Sequence, residues 1–241
     1  MGAESTDGKF GWHVKLEINL HHTLLLVMAE KLIVKNFAGI KELGIEIKRI
    51  NILIGPQASG KSICAKLLFY FKNFVWQILK VVENEQTKRN LDSTYSKTFE
   101  EYFPPDSWGK HDFFIRYEIA NVFIEVTRKQ DSKGKISLNY SDFFKKELAN
   151  LCALQKTLKE IRFDKNDEYE RIDRLLFLNK ELRDSLVNFL NTYLCKEAAF
   201  TQLFIPAGRS FFANLQSNIF SFLSSNNTLD PFLRDCGSTY E

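Results

Sequence analysis

The sequence is poor in the features that mark whole classes of protein. Lys and Arg number 33 against 30 Asp and Glu, a formal net charge of only +3. That excludes a strongly basic nucleic-acid tail and an acidic solvating tail, though not a local patch. No run of 18 apolar residues occurs, and Leu24–Ala29 is far too short to span a bilayer, so no transmembrane helix and no membrane partner are expected. The same segment lacks the basic start region of a signal peptide. The four cysteines, Cys64, Cys152, Cys195 and Cys236, include no C-x-x-C pair and read as small buried hydrophobes of a reducing cytoplasm. The four histidines, His13, His21, His22 and His111, stand at no metal-ligand spacing, so no zinc site is expected. There is no internal repeat and no low-complexity block.

What is present is a globular composition, 44% hydrophobic and 26% charged, over 241 residues. That length suits one large domain or a domain carrying an insertion. The 22 Phe predict an aromatic-rich core or interface. Met28-Ala29-Glu30-Lys31-Leu32 reads as a natural start leading straight into a strand; residues 1–27 have no sustained period and are expected outside the fold.

The pattern predicts a β-rich run over 31–37, a turn at Ala38-Gly39, and an alternating strand over 43–48. Ile50–Ile54 reads as a short buried parallel strand ending at Gly55. From Ser62 to about Lys80 no Gly or Pro occurs, and Ile63, Leu67, Phe71, Phe74 and Ile78 recur at helical spacing. Residues 92–110 are polar, contain Pro104-Pro105 and Gly109, and read as a loop with some local structure. Runs at 113–119, 122–126 and 135–140 predict an antiparallel meander with a tight turn at Ala120-Asn121. Two helices are predicted over 143–161 and 168–200, then a short strand over 202–205 and a last helix over 210–223.

One motif carries chemistry. Gly55-Pro56-Gln57-Ala58-Ser59-Gly60-Lys61-Ser62 fits G-x-x-x-x-G-K-[ST], with an apolar run before it and a helical pattern after it. Gly55 and Gly60 allow the backbone to wrap a phosphate without Cβ clashes. Successive N–H groups from about Ala58 to Ser62, with Ile63 following in the first helical turn, form an anion nest at the positive end of a helix. Lys61 supplies a point charge for β- and γ-phosphate oxygens. The Ser62 hydroxyl is a suitable hard ligand for Mg²⁺, the one metal-site candidate.

The surroundings of the motif sharpen this. A strand ending in Asn36-Phe37, a hairpin, Ile50-Asn51-Ile52-Leu53-Ile54-Gly55-Pro56 and the Lys61-Ser62 helix together resemble the N-terminal lobe of ABC/SMC/RecF-type ATPases, in particular the OLD-like, AAA-named bacterial ATPases. Phe204-Ile205-Pro206-Ala207-Gly208-Arg209-Ser210 resembles a second block of that family. The two blocks cover about a quarter of the chain. The resemblance implies an α/β P-loop NTPase fold, an ABC-type lobe I with an antiparallel β meander and a helical insertion. It divides the chain into an extension over 1–27, the P-loop lobe over 28–140, the insertion over 141–200 and a return to the lobe over 201–241. It implies ATP and Mg²⁺ as ligands, a homodimer or a partner ATPase subunit, and a DNA or nuclease effector in defence or repair. It also points to Arg209 as a nucleotide-contacting residue and raises a metal-contacting role for Gln202.

The chain departs from the family pattern in four ways. The usual Asn and Gly inside the loop are Gln57 and Ala58, and the usual basic residue after Asn-Phe is Ala38. The family hydrolyses ATP with an apolar strand ending in Asp-Glu, and no such run occurs in the 241 residues; neither does an LSGGQ-like segment. The expectation is therefore the front lobe of such an ATPase, from a truncated gene or a split subunit, with hydrolysis completed elsewhere. The alternative is a non-catalytic interaction subunit that keeps a P-loop. A small-molecule kinase fits less well, because a strand and hairpin precede the motif. Phe37 is expected in the core, and Lys145, Lys146, Lys156 and Lys159 on a solvated helix face.

Overall fold

A computed structural model describes residues 30–120, 122–129, 135–160 and 168–205. Within them lies a mixed α/β fold: a five-stranded antiparallel sheet with helices against one face. The sheet holds β1 (Glu30–Phe37), β2 (Ile40–Ile47), β3 (Phe113–Ile119), β4 (Val122–Arg128) and β5 (Ile136–Tyr140), in the spatial order β2-β1-β3-β4-β5. Every neighbouring pair is antiparallel.

Period-two alternation decides which side chains face the helices. Phe113, Ile115, Tyr117 and Ile119 on β3 and Val122, Ile124 and Val126 on β4 are buried. On the opposite face Arg116 pairs with Glu118 and Glu125, each at 3.1 Å, and lies 4.0 Å above the Phe123 ring. On β1 the alternation changes phase at Asn36, which adopts a left-handed φ of 54° and which the strand pairing skips. Asn tolerates that region better than most residues. Phe37 therefore joins Leu32 and Val34 on the buried side, and opposite it Ile40 joins Leu43. Ala38 and Gly39, both at positive φ, close the two-residue hairpin.

The helices are α1 (Lys61–Lys72), α2 (Phe74–Glu83), α3 (Lys88–Tyr102), α4 (Asp142–Glu160) and α5 (Glu168–Tyr193). The single helix expected after the motif is two, divided at Asn73. The loop expected over 92–110 is largely α3. Thr87 caps it by a reciprocal bond pair with Asn90, and only Leu91, Tyr95 and Phe99, four apart, are buried. So narrow a stripe in a polar segment escapes a periodicity search. α3 closes an aromatic core in which Phe37 lies 5.7, 5.6 and 4.9 Å from Phe99, Phe103 and Phe113.

Tyr70 of α1 and Tyr95 of α3 stack at 4.2 Å, and each hydroxyl donates to the other residue's backbone carbonyl, at 2.9 and 2.8 Å. α4 and α5 pack on α2: Phe144 meets Phe74, Gln155 Nε2 donates to the Val82 carbonyl, and Phe143 meets Phe189. Lys145 and Lys159 of α4 pair with Asp142 and Glu85.

Two expected strands are absent. Ile50–Ile54 forms no strand, and Ile50, Ile52 and Ile54 are 72%, 55% and 79% exposed while Leu53 packs against the core. Residues 201–205 form none either. A strand exists only where a neighbouring strand pairs with it; among the described residues the one sheet ends at β2 and β5 and offers these segments no partner. Residues 1–27, the helix expected over 210–223 and Arg209 lie outside the described residues.

Candidate functional site

The candidate site is the loop between Ile54 and α1. Its approach is set by Asn51, whose side chain accepts from the Lys48 N–H at 3.0 Å and donates to the Lys48 carbonyl at 2.6 Å. Residues Gly55–Ala58 are exposed, and Ser59, Gly60 and Lys61 half-buried. Ala58 takes a left-handed φ of 61° and Gly60 one of 87°. Gly60 is required twice over. Its φ suits glycine, and a Cβ there would stand 2.8 and 2.9 Å from the Ile40 side chain of the neighbouring hairpin. The hairpin and the loop are thus packed backbone against side chain, which fixes where α1 begins.

Gly60 is also the N-cap of α1. It offers no side-chain cap, and the first turn holds no acid. The first intrahelical bond runs from the Cys64 N–H to the Gly60 carbonyl at 3.0 Å. Among the described residues, the N–H groups of Gln57, Ala58, Gly60, Lys61, Ser62 and Ile63 form no hydrogen bond, while the Ser59 N–H faces the Pro56 carbonyl across the turn at Gln57-Ala58. A helix start leaves its first donors free; here the loop extends that row at the positive end of the helix dipole.

The Lys61 ammonium turns back over the loop. Its Nζ donates to the carbonyls of Gly55 at 2.8 Å and Pro56 at 2.5 Å and to Ser59 Oγ at 3.1 Å. The charge is thereby held at the mouth of the row of donors. Cys64, one turn into the helix, is buried, and burial pushes its thiol up to about 11, so it is a packing residue and no nucleophile.

The residues present fit a phosphate group: unbonded donors in series, a tethered cation and a backbone with no Cβ at its tightest point. For Mg²⁺ they offer the exposed Ser62 hydroxyl, and among the described residues no cluster of three or more His, Cys, Asp or Glu exists. Mg²⁺ held through one hydroxyl would take its other ligands from phosphate oxygens and water, as it commonly does.

The other expected residues fall elsewhere. Gln202 donates to the Phe200 carbonyl at 3.0 Å and shares a small cavity with Glu30 and Lys72, at the far end of α1. A helix of 12 residues is about 18 Å long, so Gln202 does not meet the loop; the metal-contacting role raised for it is corrected. Phe37 is core and stacks on nothing outside. Sequence reasoning gave the Ser59 backbone a role but missed its side chain, which binds both Pro56 and Lys61. A hydroxyl three residues after a loop carbonyl was the available signal.

No family model, curated protein or solved structure matches this chain. Among the described residues no helix is long and apolar enough to cross a membrane.

Proposed function

We propose that the chain is the ATP-binding module of an ATPase of the SMC/RecF/OLD type, binding the nucleotide's phosphates at Gly55–Ile63 and Mg²⁺ through Ser62. The observation that supports this reading is the set of unbonded N–H groups of Gln57, Ala58 and Gly60 to Ile63 with the Lys61 ammonium tethered across it. The donors hold the β- and γ-phosphate oxygens, Lys61 offsets their charge, and the preformed loop reduces the ordering cost of binding. Arg209 is assigned to the same ligand on the resemblance of its block. Hydrolysis draws its carboxylates from a segment or partner subunit beyond those described here, and the coupled process concerns DNA or a nuclease effector.

Isothermal titration with Mg·ATP is the test. Saturable binding to the native chain and its loss in Lys61→Ala are expected; equal affinity in both removes Lys61 from the site. The absence of an Asp-Glu strand end from the sequence favours a second reading, a non-catalytic interaction subunit. Phosphate release by the purified chain, with and without DNA, separates the two. Turnover that Lys61→Ala abolishes excludes the non-catalytic one.

A further inference from the structure

One side chain ties the phosphate loop to the hairpin. A Cβ at Gly60 would stand 2.8 Å from Ile40 Cγ1 and 2.9 Å from Ile40 Cδ1; among the described residues no other group, the adjacent loop residues aside, comes within 4 Å of that point. Ile40 reaches it because the hairpin changes phase. Leu43 and Ile45 of β2 are buried, and unbroken alternation would turn residue 40 to the open face with Glu42, Gly44 and Glu46. The strand pairing instead skips Asn36 and Lys41, Asn36 takes its left-handed φ of 54°, and Ile40 is buried opposite Phe37. Phe37 is anchored in turn by Phe99, Phe103 and Phe113. A line of packing thus runs from the aromatic core through the Phe37–Ile40 pair to Gly60.

We infer that Ile40 is a positioning residue for the phosphate loop. Its side chain fills the place that Gly60 leaves empty. It thereby sets how closely the loop lies on the hairpin and where the N–H groups of Gly60 to Ile63 point. This rests on the ATP-binding reading for its ligand, but the seating of Gly60 on Ile40 is a property of the free protein. An alanine at position 40 removes both atoms that meet Gly60 and lets the loop shift; a valine keeps the Cγ1 contact. Several donors must converge on one phosphate, so a small shift of the loop weakens all their bonds together.

The experiment compares the native chain, Ile40→Ala, Ile40→Val and Leu43→Ala. Leu43 is the control, the next buried residue along β2 and not one of the groups that meet Gly60. Mg·ATP affinity is expected to fall about tenfold in Ile40→Ala, to stay within about threefold of native in Ile40→Val, and to be unchanged in Leu43→Ala, although both alanine variants melt at a lower temperature. Without ligand, the NMR amide signals of Gly60 to Ile63 are expected to move in Ile40→Ala and to stay in place in Leu43→Ala. A cycle of melting temperatures checks the contact itself. Gly60→Ala should lower the midpoint less in the Ile40→Ala background than in the native chain, because the clash is gone and only the backbone strain remains. Native affinity in Ile40→Ala, with binding still lost in Lys61→Ala, overturns the proposal and leaves the ATP reading standing; so does an equal loss of affinity in Leu43→Ala. If the native chain itself binds no ATP, that reading fails and the unligated measurements decide alone: either unmoved loop amides in Ile40→Ala or additive melting shifts overturn the role of Ile40.

Discussion

Around Phe37 the side chains are closed off from water and touch other rings on every side; around Ile52 and Ala58 they stand open to it. In the first region the buried ring hydroxyls and the indole are bonded internally: Trp108 Nε1 donates to the Phe103 carbonyl, and Tyr70 and Tyr95 satisfy each other, while the buried Arg128 Nε beside Trp108 has no partner among the described residues. The second leaves a set of donors unbonded and exposes three isoleucines. Buried polar groups in a finished core are bonded, and free backbone donors at a helix start are open to a ligand. The contrast teaches that stability and binding are separated here along the chain, with α1 as the part they share.

Three measurements bear on that separation. The largest effect is expected for Phe37→Ala, which empties the centre of the aromatic cluster. A loss of about 3–5 kcal/mol in urea unfolding is expected; a loss under about 1 kcal/mol would show that the cluster does not carry the stability assigned to it.

Glu147 of α4 tests whether the closed region has a weak point. The residue is 3% exposed, and its carboxyl receives Asn150 Nδ2 at 3.3 Å and is pushed up to about 7 by burial from an ordinary value near 4.5. The folded state therefore keeps a proton that the unfolded chain releases between those values. Stability should be greatest below about pH 4.5 as far as this group is concerned, fall as pH rises toward 7, and level off above it. Glu147→Gln should flatten that slope and raise stability at pH 8 by on the order of 2 kcal/mol. Unfolding midpoints at pH 5 and pH 8 measure it, and an unchanged slope in the variant would remove Glu147 as its source.

The smallest effect tests the open region. Ala58 at φ 61° carries a backbone cost that glycine does not. Ala58→Gly should stabilise the fold by about 0.5–1 kcal/mol, the gain being reduced by glycine's greater freedom when unfolded. Destabilisation, read as a lower melting temperature, would mean that the methyl group packs usefully and that no strain resides there.

The sequence made local features legible and left pairwise ones hidden. The Gly55–Ser62 loop, the Ala38-Gly39 turn and the β3–β5 meander follow from residues close in the chain. Ile50–Ile54 has the composition of a buried strand, yet that depends on a neighbour that no local pattern reports. α3 was hidden for another reason: its helix is specified by the Thr87–Asn90 cap and three buried positions, and its remaining residues are polar. At the candidate site the motif pointed to Lys61 and Ser62 by residue type and spacing. The left-handed Ala58 and the double bonding of the Ser59 hydroxyl arise from how the loop closes, which residue types alone do not state.

A helix can turn about its long axis without its ends moving apart, and such a turn would sweep Lys61 around by about 100° for each residue of slip. Tyr70 lies on the buried side of α1, two and a half turns beyond Lys61, and its reciprocal bonds with Tyr95 fix the rotational phase of the whole helix against α3. The compass direction in which Lys61 leaves α1 is thus set from the opposite end of the helix, by two tyrosines that never approach the loop.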